Sequence, residues 1–173
     1  MHSTDLTRGP NQWSAFDWWP PIGWWPHPAR DLAPPEAGTS SATFVLPPRP
    51  ESVHSARSFA AGSLIGWRMR DLVQDMELVV SELATNALRH GLMPGPCEPR
   101  HSVCEPIRMS MIRMGSLVGC VFADPGSAAP VMRDPSPLET GGMGLHIVES
   151  MSLRWGWNPL LPYGKVVWAV LKS

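Results

Sequence analysis

Residues 77–91 read ELVVSELATNALRHG. Val79, Val80, Leu83 and Ala87, joined upstream by Leu72 and Met76, recur at the three- and four-residue steps that put side chains on one face of a helix. The spacing predicts a helix from about Arg70 to His90, with Gly91 as its stop signal. Along one edge of that apolar stripe run Glu82, Asn86 and His90, four residues apart, so each is rotated roughly 40 degrees from the last. An acid, an amide and an imidazole at a core boundary each cost free energy if unpaired, so the row either satisfies itself locally or faces a polar ligand. Glu and Asn on helices are commonly solvated or capping residues, and a histidine here is more often packing at a helix end than chemistry. The helix arithmetic alone leaves both readings open.

Working outward, ATFVL at residues 42–46 is a short strand-like run ended by Pro47-Pro48, and PESVHSARSFAAGSLIGW at 50–67 reads as a helix with Pro50 near its start. Downstream, LMPGPCEPRHSVCE at 92–105 is broken by prolines and reads as a loop. PIRMSMIRMGSLVGCVFADPG at 106–126 then gives two strand-like runs around Gly115-Ser116, a hairpin. The Pro-rich stretch from Pro125 to Thr140 has no period and has the length of a lid or binding loop. A short helix, LHIVESM, and two final strand-like runs, SLRWGW and GKVVWAVLKS, close the chain. The expected order is strand, helix, helix, hairpin, lid, helix, hairpin.

Two further motifs stand at strand and helix ends. Asp124-Pro125-Gly126 places an acid where a strand terminates, able to accept from an amino group, although Asp-Pro-Gly is also an ordinary turn. Gly141-Gly142-Met143-Gly144 precedes a helix, where backbone N–H groups and the helix dipole favour phosphate oxygens. Each is weak alone. Their order is specific: ELVVSELATNALRHG, FADPG, GGMGLHIVESMSLRWGW and GKVVWAVL together closely resemble the GHKL (Bergerat-fold) ATPases, and within them the small anti-sigma-factor serine/threonine kinases, over about residues 42–172.

That resemblance implies an α/β two-layer sandwich, a mixed, mostly antiparallel sheet with helices on one face. It implies that Asn86 gives its side-chain oxygen to Mg2+, that Asp124 holds the adenine amino group, and that Gly126 lets the base approach. Gly142 and Gly144, with Leu145 beside them, would line the nucleotide phosphates under a lid formed by residues 127–141. Glu82 falls where these kinases place a general base for a protein serine or threonine hydroxyl. The magnesium chemistry is independent of family, because Mg2+ keeps waters and phosphates in its shell and one neutral amide oxygen suffices. Val166 stands where many relatives carry a hydroxyl near adenine, so one contact to the base is expected to be missing. The partners implied are a sigma factor and a STAS-type anti-anti-sigma antagonist, and related kinases commonly form homodimers. The alternative is a nucleotide-dependent binding module with little or no phosphoryl transfer. A sensor histidine kinase core would need an upstream helical pair, which residues 1–41 do not resemble. A topoisomerase or mismatch-repair ATPase would need a transducer domain.

Composition sets the outer limits. The chain of 173 residues suits one domain, residues 42–173, with a Pro/Trp-rich tail, residues 1–41, that lacks both helical and strand periods. WWP occurs at 18–20 and again at 24–26; the plainer reading is a disordered extension, the sharper one a docking peptide. A net charge of -1 gives no positive field for nucleic acid or anionic membranes. No run approaches the roughly 20 apolar residues of a membrane span, and MHSTDLTRGP lacks the regions of a signal peptide, so a cytoplasmic protein is expected, and the resemblance implies a bacterial one. Three cysteines fit reduced thiols, and Cys97, His101 and Cys104 match no strong zinc spacing.

Overall fold

The computed structural model describes residues 39–91, 107–132, 143–160 and 164–173. The expectations for the tail, the 92–105 loop with Cys97, His101 and Cys104, most of the lid, and Gly142 lie outside these residues. Strand β1 spans Thr39–Leu46, beginning three residues ahead of the apolar run at Ala42 because its first residues pair with β2. Helix α1 is Ser52–Gly66 and a 3-10 turn, Arg70–Leu72, leads into α2, Val73–Gly91. Then come β2, Ile107–Met114, β3, Leu117–Asp124, α3, Gly144–Met151, β4, Arg154–Pro159, and β5, Lys165–Lys172. The element order is that expected from sequence.

The five strands form one sheet in the order β1-β2-β3-β5-β4, and all its pairings are antiparallel. The closing hairpin thus inserts β5 beside β3, leaving β4 at the edge. Strand side chains alternate between faces, and the two sets are unlike. One face presents Met109, Met111, Val118, Cys120, Phe122, Ala169 and Leu171 to the helices, forming the main core with Met76, Val79, Val80, Leu83 and Ala87 of α2. The whole predicted apolar stripe of α2 is buried. The other face carries a second cluster that includes Ile112, Val121, Val166, Trp168 and Val170. This is the expected two-layer sandwich with helices on one face.

Local chemistry explains the helix ends. Ser52 donates its hydroxyl to the Pro47 carbonyl at 2.6 Å, tying the start of α1 to the end of β1. At the other end Arg68 adopts φ 61°, and the amides of Arg68 and Met69 return to the carbonyls of Ile65 and Leu64. That closes the helix as glycine usually does, with an arginine in the left-handed position. Arg113 adds a guanidinium donor to the Trp67 carbonyl at 3.1 Å, so β2 caps α1. Helix α2 has Asp75 in its first turn and Arg89 and His90 in its last, matching the helix dipole at both ends.

Candidate functional site

Helix α2 crosses the core face of the sheet with its polar edge turned toward the ends of β3 and β5, and α3 starts beside it. Between them opens a cavity of about 900 Å3. Its walls include Glu82, Asn86 and His90 from α2, Phe122 and Asp124 from β3, Ala128 to Val131 after it, Gly144 and Leu145 from α3, and Lys165 and Val167 from β5. A volume near the upper end of ordinary ligand sites, with apolar walls interrupted by an acid, an amide and a buried ion pair, suits a nucleotide. Six of the residues singled out from sequence, Glu82, Asn86, His90, Asp124, Gly144 and Leu145, therefore share one cavity. Gly126 is held beside it, and Gly142 lies outside the described residues.

Glu82 and Asn86 are both half-buried, one helical turn apart. Glu82 lies directly against Gly144: a Cβ built on that glycine would collide with the Glu82 carboxylate, 3.4 Å from its Cδ. The absence of a side chain at Gly144 is what lets the acid of α2 meet the first turn of α3. Leu145 is buried and divides its surface between core and cavity. His90 is exposed at the end of α2 and borders the cavity, so it is not the packed helix-end histidine the sequence suggested.

Asp124 ends β3, and Lys165 begins β5 directly opposite it in the ladder. Both are 4% exposed. Lys165 Nζ donates to Asp124 Oδ1 at 2.8 Å and to the Gly126 carbonyl at 3.0 Å, while the Gly126 amide donates to the same Oδ1 at 2.8 Å. Gly126 thus closes the turn by its backbone polar groups. Burial holds the Asp124 carboxyl above its ordinary range; the Lys165 ammonium pulls it back, with smaller pulls from the Gly126 amide and His90. Gly164, just before Lys165, takes φ +95° and would place a Cβ 2.7 Å from the Asp124 carbonyl oxygen, so only glycine lets the two strand ends close to this distance.

Lys165 is the principal residue the sequence reasoning missed. Its signal was a lone cation opening the apolar run VVWAVL, and its partner lies 41 residues away, reachable only once the register of β3 on β5 is known. The expectation for Val166 is corrected by the same register. Val166 is 1% exposed in the cluster on the opposite face, because strand alternation sends Lys165 and Val167 toward the cavity and Val166 away from it. The strand position that faces the cavity there carries Lys165.

An acid, an amide, a glycine-led helix start and a buried acid in a D-x-G turn thus border one cavity. The profile of the histidine kinase-like ATPase domain matches residues 46–170, which takes in every element from the end of β1 to β5. The chain belongs to this GHKL family. It is an ATP-binding domain. No curated protein matches the chain. Among the described residues no helix is long and apolar enough to cross a membrane, and no group of three or more His, Cys, Asp or Glu gathers to cage a metal ion. Cys120 is free and sealed in the core, its thiol pushed up to about 12 by burial, which removes it from chemistry.

Proposed function

We propose that this chain is a serine/threonine protein kinase of the anti-sigma-factor type. It transfers the γ-phosphoryl group of ATP to a STAS-type anti-anti-sigma antagonist and also holds a sigma factor inactive in the bacterial cytoplasm. The observation that carries this reading is the contact of Glu82 with Gly144, one turn from Asn86. A carboxylate that served only the helix surface would have no reason to sit at the start of α3. In this reading the first turn of α3 receives the phosphates and Glu82 takes the proton of the incoming hydroxyl as its oxygen bonds to the γ-phosphorus and ADP leaves.

Asn86 would hold Mg2+ through its amide oxygen, with phosphate oxygens and water completing the shell. That ion dehydrates reluctantly and needs few protein ligands. Asp124 accepts from the adenine amino group. The experiment is incubation with labelled ATP and candidate antagonist proteins. Transfer that disappears in Glu82→Ala while ATP still binds supports the kinase. Undiminished transfer in that variant removes Glu82 from the mechanism, and ATP-dependent partner binding without any transfer makes the chain a nucleotide-gated binding module instead.

A further inference from the structure

A buried ammonium needs full hydrogen bonding, because removing it from water costs several kcal/mol. Lys165 has three N–H donors, and two are engaged, by Asp124 Oδ1 and the Gly126 carbonyl. On the acid, Oδ1 accepts from both Lys165 Nζ and the Gly126 amide, which fills its two lone pairs. Among the described residues nothing engages the third N–H or Asp124 Oδ2. Both residues border the cavity. It is therefore offered one acceptor and one donor side by side, fixed by a pair that backbone groups hold in place.

We infer that Lys165 is a specificity-determining residue of the nucleotide site, donating to the N1 ring nitrogen of adenine while Asp124 Oδ2 accepts from the 6-amino group. This rests on the ATP site described above and adds to it a direct protein contact at N1. Adenine presents a donor and an acceptor next to each other on that edge. Hypoxanthine and guanine present an oxygen at position 6 and N–H at position 1, so in the same pose both contacts become like against like. An acid alone would reject such a base at one position; the pair rejects it at two.

The test is calorimetric titration of the full chain, with Mg2+, using ATP, 1-deaza-ATP and ITP. The deaza compound keeps the 6-amino group and replaces N1 by C–H. The expected result is binding of 1-deaza-ATP at least about tenfold weaker than ATP, the scale of one hydrogen bond to a charged donor, with ITP weaker still. In Lys165→Met the ATP and 1-deaza-ATP affinities converge. Equal affinities in the wild-type chain overturn the inference and leave Lys165 as a counter-charge for Asp124, and this comparison does not depend on the variant folding. An unchanged ratio in Lys165→Met also overturns it. Failure of every adenine nucleotide to bind overturns the ATP site itself, and this inference with it.

Discussion

Replacing Gly164 by alanine strikes the joint that holds Asp124 against Lys165 at the cavity wall. Gly164 holds φ +95°, and the added Cβ would meet the Asp124 carbonyl oxygen at 2.7 Å and Pro125 Cα at 3.4 Å. Both are backbone atoms, so no side chain can swing clear. Forcing an L residue into left-handed backbone costs roughly 1–2 kcal/mol. Relieving the collision means drawing the Asp124 end of β3 away from Lys165, which weakens one or two hydrogen bonds at about 1 kcal/mol each. The sum is about 2–4 kcal/mol, a fall in Tm of roughly 4–16 °C for a chain of this size. Because the same displacement spreads the Asp124–Lys165 pair, ATP affinity should fall along with Tm. Thermal unfolding followed by circular dichroism, then ATP titration at a temperature where both proteins are folded, reads the two effects separately. A Tm shift below about 1 °C with unchanged ATP affinity would refute the reasoning, since it would mean the strand ends have room that their spacing denies.

Gly144→Ala collides with the far end of a flexible side chain, so Glu82 swings aside, and stability should change by less than about 1 kcal/mol because alanine favours the helix. If the chain is the kinase proposed above, phosphoryl transfer should nonetheless drop at least about tenfold through loss of the acid's position, and a variant with full transfer would dissociate Glu82 from the chemistry. Phe122→Ala removes a fully buried ring shared by the core and the cavity, and urea unfolding should show a loss of roughly 3–5 kcal/mol. The raised Asp124 carboxyl means that the folded chain keeps this proton to higher pH than the unfolded chain, whose value is near 3.8. Stability from this group therefore falls as pH climbs from there through the raised folded value and is level above it, while the role proposed for the carboxylate at the adenine amino group has ATP affinity falling as pH drops through the same window. Urea titrations of wild type and Asp124→Asn should differ by that slope, and a slope of opposite sign would contradict the shift. Iodoacetamide at mildly alkaline pH should leave the Cys120 peptide unmodified until denaturant is added, since its thiol is held near 12.

Much of the site was legible because it is written in local periods. Glu82 and Asn86 fall on one edge of a helix whose apolar stripe can be read from spacing alone, and that stripe is buried as expected. Gly144 announced a helix start, and Asp124 a strand end, since glycine and Asp-Pro-Gly punctuate a chain in few ways. His90 and Val166 were misplaced for a shared reason. Whether a helix-end histidine packs, or a strand residue faces the site, depends on what lies across from it, and strand parity in particular flips with a shift of one residue.

The sequence by itself determined the order of the elements, the helix that carries the acid and the amide, and the family those motifs resemble. Only the tertiary structure set β5 against β3 in the register that brings Asp124 opposite Lys165 and brought the Glu82 carboxylate to Gly144. Helical spacing is a property of consecutive residues, whereas an ion pair across a sheet is a property of two distant segments whose relative position burial and close packing decide. The lysine that pairs with Asp124 at the cavity wall was visible in the chain from the start, but nothing near it in sequence said what it would touch.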